Sequence, residues 1–365
     1  MPPMEDKDIQ ISDKDIIIAV PSILVAVGIL SLPAKIAQET ISSDGWIPLL
    51  ISGIVMIFLT WLVVKTVSSF PNQSFFTISS SLVTKPIAII LTLLFVIQGI
   101  LTAAFEVREI ADISQIYLLN DTPMEVLSLV FLLVVIYAVS GERAGIFRLN
   151  TLFLPFIIII SLFVIILSIG WIEKANILPI FKTSIGGYAE GIKSSIIYYG
   201  NIGFLLFYLG FAKQPKKAPK MAAIGMSFTV LLYTLLFIAC VGVMGNGAVS
   251  NIIYPTLDLS KELEIPGGFF ERFESVFFTI WVMAIFTTTV IAIDITVLAL
   301  QSVFKKLRKL NIILFIAPTV YFISLLPKDY VEVSTLSNIV TVFALVLLFV
   351  VTLLFTILLK IKGVK

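Results

Sequence analysis

Apolar residues in this chain come in long runs that are almost free of charge. One opens near Ile16 and meets no charged residue before Lys35. A helix needs about 20 apolar residues to cross the ~30 Å hydrocarbon layer of a bilayer. Runs of that order recur near 15–37, 46–70, 86–109, 123–140, 149–171, 190–213, 218–244, 269–304, 309–326 and 335–360. The pattern predicts an all-α polytopic membrane protein with ten transmembrane helices. Strands of a membrane barrel are short and alternating, so a barrel is excluded. Residues 1–14 then form a cytoplasmic tail and 15–360 one transmembrane domain. The longest polar connection, 245–268, is expected outside the membrane on the extracytoplasmic face. Leu257, Leu263 and Ile265 among its charges fit either an amphipathic piece over the mouth of the protein or an ordinary connector.

Two of the ten runs are weakened at their middle. The first contains AVGILSLP, residues 26–33, and the sixth contains SSIIYYGNIGFLLFYLGF, residues 194–211. Gly costs a helix about 1 kcal/mol relative to Ala, and Pro about 3. The interruptions, at Gly28 and at Gly200–Gly203, fall in the first members of two sets of five. One set starts inside and the other outside, so the halves 15–171 and 190–360 are expected to be inverted repeats. Paired interruptions of this kind point to a transporter-type binding site. Unwound backbone strands N–H and C=O groups that lipid cannot satisfy. A ligand can take them over, the helix N-terminus suiting a carboxylate and the freed carbonyls an ammonium group. Both stretches are uncharged, so a zwitterionic amino acid matches them. The candidate contacts are Ala26, Val27, Gly28, Ile29, Leu30 and Ser31, with Tyr199, Gly200, Asn201, Ile202 and Gly203 opposite. The alternative is close packing, which also favours glycine in membrane helices.

Composition narrows the chemistry. The 365 residues are 59% hydrophobic and 13% charged, with a mean hydropathy of +1.08. A net charge of +2 implies no nucleic-acid partner, and a single cysteine, Cys240, allows no internal disulfide. The chain has no histidine, so any proton handling falls to carboxylates, lysines or tyrosines. No phosphate-binding loop, catalytic carboxylate pair or nucleophile–base pair stands out. An enzymatic role and a cofactor or metal are not expected. Most of the 25 basic residues, with KQPKKAPK and KKLRK the densest clusters, fall on one side if the N-terminus is cytoplasmic. Both termini are then inside. Arg143 and Arg148 count among these inner residues. The acidic start MPPMEDKDIQISDKD shows no cleavage-type site behind a short apolar core, so the first span is expected to be retained.

Several stretches carry a likeness. VGILSLP at 27–33 with Gly45-Trp46, VREIADISQIYLLNDTP at 107–123, SGERAGIFRLNTLFLPFIIII at 140–160 and IPGGFFERFESVFFTIWVMAIF at 265–286 resemble the spore germination permease family. These are the B subunits of bacterial nutrient germinant receptors, within the amino acid–polyamine–organocation superfamily. Ala26 stands where the family pattern has its first glycine. The resemblance implies a LeuT-like 5+5 inverted repeat with helices one and six broken. It also implies a sensor in the spore inner membrane that binds a small nutrient, often an amino acid, and signals to A and C subunits.

Polar residues inside the runs supply the remaining candidates. Asp294 lies about 16 Å from the inner interface at 1.5 Å per residue, with Thr287 two turns away on the same face. A carboxylate at that depth is a functional hypothesis. It is either an ion or proton site or a buried group that locks helix packing. Gln98, Thr102 and Glu106 form a stripe spaced by four. They line a cavity, unless Glu106 and Arg108 form ion pairs near the outer interface. Tyr198, Tyr199 and Tyr208 are candidate pocket walls or interfacial tyrosines. The leading expectation is a nutrient receptor subunit. The alternatives are a proton- or sodium-coupled amino-acid transporter using Asp294 or Glu106, and a ligand-gated ion or water channel.

Overall fold

The computed structural model describes residues 10–26, 28–262 and 273–362, and among these the ordered elements are helices. The first apolar run divides into α1 (Asp13–Leu24) and α2 (Gly28–Glu39), bent by 57°. Ser12 caps α1: its hydroxyl accepts the Asp15 N–H while the Asp15 carboxylate takes the Ser12 N–H, a reciprocal capping box. Then come α3 (Trp46–Ser68), the short α4 (Phe75–Leu82), α5 (Lys85–Tyr117), α6 (Met124–Ser140) and α7 (Arg143–Ser168). After a one-turn α8 (Lys174–Ile177), the sixth run forms α9 (Ile185–Ile196), a 3-10 segment Ile197–Phe204, α10 (Leu205–Tyr208) and a second 3-10 turn Leu209–Phe211. The remainder is α11 (Ala218–Met244), α12 (Asn246–Val249), α13 (Pro255–Glu262), α14 (Phe273–Val303), α15 (Lys309–Ser324) and α16 (Tyr330–Lys362).

Seven helical stretches are long and apolar enough to cross a membrane, and the bent pair α1–α2 makes up to eight. The apolar helices α6 and α15 are shorter, 17 and 16 residues. Each of these long or apolar helices overlaps one of the ten runs expected from the sequence. The burial pattern separates centre from rim. The most apolar stretch of α14 is 78% buried and that of α11 67%, against 28% for α7 and 33% for α16. The exposed faces of the rim helices carry side chains such as Phe156, Ile159, Leu133 and Leu353, which suits a lipid solvent.

The packing has a paired character. α1 runs along α11, and α9 along α3; α1 touches α7, and the 3-10 segment touches α16. α7 lies on α14 as α16 lies on α5, and α5 meets α6 as α14 meets α15.

The expected unwinding of the sixth span is corrected. Ile185–Phe211 stays helical throughout and tightens to 3-10 winding across Gly200 and Gly203. Tighter winding keeps a backbone partner for the carbonyls, which lipid would otherwise leave stranded. Gly200 is there for close approach. A Cβ on it would stand 2.7 Å from the Leu345 backbone nitrogen and 3.1 Å from the Ala344 carbonyl carbon of α16. A Cβ on Gly203 would stand 3.1 Å from the Phe95 ring.

Of the loop 245–268, residues up to Glu262 are described, while Leu263 and Ile265 lie outside the described residues. Within it α13 packs on α2 and α14, burying Leu257 and Leu259. The first span ends in a loop at 40–44 whose Asp44 carboxylate, fully buried, accepts the backbone N–H groups of Phe181, Lys182 and Thr183 and the Tyr188 hydroxyl at 2.6–3.0 Å. Burial works to raise this carboxyl, but donation by Thr183 and Phe181 outweighs it and holds it below the ordinary aspartate value.

Candidate functional site

Helix α1 stops where Val25 leaves helical geometry at φ −85°, ψ 74°. The carbonyls around the bend are taken up by side chains of neighbouring helices. The Thr288 hydroxyl of α14 donates to the Ser22 carbonyl at 2.9 Å, and the Tyr233 hydroxyl of α11 to Leu24 at 2.7 Å. The Trp281 indole donates to Ala26 at 3.3 Å and the Thr256 hydroxyl of α13 to Ile29 at 2.7 Å. Four side chains thus meet the polar cost that lipid would impose on an open bend. Val27 lies outside the described residues. Gly28 follows directly, with the Tyr233 hydroxyl and the Tyr198 ring in the space a Cβ would need. Ser31, one turn further on, sits 3.4 Å from the Tyr198 hydroxyl. Leu30 is fully buried in the core.

Opposite the bend stand the α5 stripe and the 3-10 segment. The Gln98 amide donates to the Asn201 side-chain oxygen at 3.1 Å, and Thr102 reaches the same oxygen at 3.4 Å. Four-residue spacing on α5 puts Glu106 on that face. It is 3% exposed. Tyr199 stacks at a tilt on Tyr233, ring centroids 5.8 Å apart. Three buried atoms of this group have no hydrogen-bond partner among the described residues: Glu106 Oε2, Gln98 Oε1 and the Tyr199 hydroxyl. Ile202 faces the core. Two bare acceptors and a phenol suit a donor-rich partner such as an ammonium group.

The other acidic groups of α5 are spoken for. Arg108 donates to Asp112 at 2.9 Å and to the Pro327 carbonyl, and Glu109 accepts the Tyr254 hydroxyl at 3.0 Å. The ion pairing expected near that end of α5 therefore involves Arg108, while Glu106 stays out of it.

Asp294 belongs to a separate cluster. Arg143 Nε lies 3.0 and 3.2 Å from its two carboxylate oxygens, and the Tyr208 hydroxyl donates to it at 2.9 Å. The Arg143 and Asp294 side chains are 3% and 0% exposed. Arg143, counted among the inner basic residues, is therefore a buried partner, and Tyr208 serves this pair instead of walling a pocket. Thr287 spends its hydroxyl on the Ala284 carbonyl of its own helix; its neighbour Thr288 reaches the first span. Tyr233, Trp281, Thr256 and the Arg143 pairing leave no local trace in the sequence, because each acts across more than a hundred residues. Hydroxyl pairs such as Thr287-Thr288 were the one available signal.

These features define a polytopic helical membrane protein with a bent first span and a polar group enclosed beside it. A match to the spore germination protein family covers residues 10–333. The spore germination protein GerLB of Bacillus cereus is 37% identical over 94% of this chain and 92% of its own length. YndE of Bacillus subtilis is 30% identical over 87% of each chain, and spore germination protein A2 of the same organism 30% identical over 85% of each. The chain belongs to the spore germination protein family.

Proposed function

We propose that this spore germination protein is the nutrient-binding B subunit of a germinant receptor, and that its guest is a small molecule carrying an ammonium group, an amino acid foremost. The observation that carries the reading is the buried trio of Glu106 Oε2, Gln98 Oε1 and the Tyr199 hydroxyl, unpartnered among the described residues beside the first-span bend. A carboxylate kept at that depth is expensive and by default functional. Glu106 receives the ammonium group, and the N-terminal turn of α2 from Gly28 favours the carboxylate. Gln98, Thr102 and Asn201 form the opposite wall.

The architecture goes with it. Ten spans in two inverted sets of five, 15–171 and 190–360, account for the paired packing: span one lies on seven as six lies on two, five on eight as ten on three. This supports a LeuT-like arrangement with the first span bent and the sixth tightened. Both termini face the cytoplasm, in the spore inner membrane, and partner A and C subunits read out the conformational balance. A ligand moves that balance only through different affinities for the two states. In this arrangement Asp294 is a packing lock held by Arg143.

The test is equilibrium binding of single amino acids, sugars and nucleosides to the purified protein, with Glu106→Gln alongside. Charge-assisted hydrogen bonds contribute about 1.5–3 kcal/mol, so the variant is expected to weaken amino-acid binding roughly 10- to 100-fold while its unfolding temperature holds. Unchanged affinity moves the guest elsewhere. The same bare carboxylate favours a second reading, a proton- or sodium-coupled transporter. Saturable counterflow in proteoliposomes that fails in Glu106→Gln selects it; binding without flux selects the sensor.

A further inference from the structure

Between Trp171, the last residue of one span, and Ile185, the first of the next, the chain displays apolar side chains outward. Ile169, Trp171, Leu178, Ile180, Phe181 and Ile185 are all exposed, Phe181 by 64% and Ile185 by 89%. A water-facing connector has no use for such a cluster, and contiguous exposed apolar surface marks a contact.

The segment is held in shape. Asp44 grips three successive backbone N–H groups at 181–183. Ser42 and Ser43 donate to the carbonyls of Asn176 and Ile177, and the Ile41 N–H to the Thr183 hydroxyl. Phe181 sits at φ +60°, a left-handed geometry that a bulky side chain adopts only when its surroundings impose it. The strain holds an aromatic ring outward.

One side of the Phe181 ring meets Trp46 edge-on, centroids 6.5 Å apart, and the rest is open. Both ends of the segment are ends of membrane spans, so none of its residues is more than seven from a span end. The ridge continues the exposed apolar face of α7 through Phe156, Ile159 and Ile166. Tryptophan at a span end marks the headgroup level. Lys174 and Lys182, exposed between the apolar residues, can turn to phosphate while their stems stay on apolar surface.

We propose that residues 169–185 form a rigid elbow immersed in the acyl–headgroup boundary of the adjoining leaflet, which fixes the depth of the outer end of the bent first span through Asp44. The occupant is phospholipid. The inference rests on the membrane architecture and is independent of what the interior binds.

The experiment places a nitroxide at Leu178→Cys, Ile180→Cys and Lys182→Cys, one at a time, in the full chain in nanodiscs of phosphatidylethanolamine and phosphatidylglycerol. The native Cys240 is buried, so the introduced thiol takes the label. Collision with dissolved oxygen and with a water-soluble nickel chelate is then compared. The labels at 178 and 180 are expected to favour oxygen severalfold, and the label at 182 the chelate. Equal chelate access at all three positions means a solvated loop and overturns the proposal. Protection from both reagents at 178 and 180 means that protein covers the ridge, and overturns it equally. Each substitution is at an exposed side chain, so failed folding is not the expected obstacle.

Discussion

Asp294 shows what single residues reveal and conceal. Its depth is readable from the sequence, as a lone carboxylate in an apolar run. Its partner is not, because Arg143 lies 151 residues away at a span end where basic residues ordinarily mark topology. Both side chains are buried, so removing one charge takes from the other its buried counter-charge. Asp294→Asn is expected to destabilise the protein by about 3–5 kcal/mol, measured as a fall in unfolding temperature in detergent. Replacing both partners by apolar residues, Asp294→Leu with Arg143→Met, is expected to restore most of it. A fully stable Asp294→Asn whose ligand response has changed its ion dependence returns Asp294 to the role of coupling group. Glu106 is the opposite case: its position on the α5 stripe was legible, and the absence of a partner was not.

At the scale of elements, all the long helices were legible, because hydrophobic length alone specifies a membrane span. The two interruptions were legible as weak points but not as geometries. A glycine can mark either lost winding or close approach, and the sequence does not distinguish them. The bend at Val25 became an opening between α1 and α2 because side chains from α11, α13 and α14 stand ready to take its carbonyls. Gly200 instead meets the backbone of α16, which cannot move aside as a side chain can. Gly200→Ala is accordingly expected to cost about 1–3 kcal/mol by overpacking. Gly203→Ala, which meets side-chain atoms of Phe95 and Leu348 and no backbone, is expected to cost less. Thermal unfolding of the two variants side by side checks the order; a Gly200→Ala protein as stable as its parent removes the close-packing account.

For the whole molecule, hydropathy gave the class, and the residue likeness pointed to the family that the comparisons then established. Sidedness follows from charge alone, so it carries its own test. Impermeant thiol reagents applied from the cytoplasmic side are expected to label Lys216→Cys and Lys306→Cys and to spare Lys182→Cys. The reverse pattern inverts the molecule and places the elbow in the other leaflet. What the sequence could not carry at this scale is the pairing of helices across the two halves, since each contact joins residues far apart in the chain and is set by shape, not by any local pattern.

The 3-10 winding of Ile197–Phe204 has a mechanical corollary. That form rises about 2.0 Å and turns 120° per residue, against 1.5 Å and 100° for the α form. Converting its eight residues to the α form would draw the span in by about 4 Å and screw one end against the other by roughly 160°, carrying Tyr198, Tyr199 and Asn201 around with it. A stroke of that size would first have to lift Gly200 off the backbone of α16, where only a glycine fits.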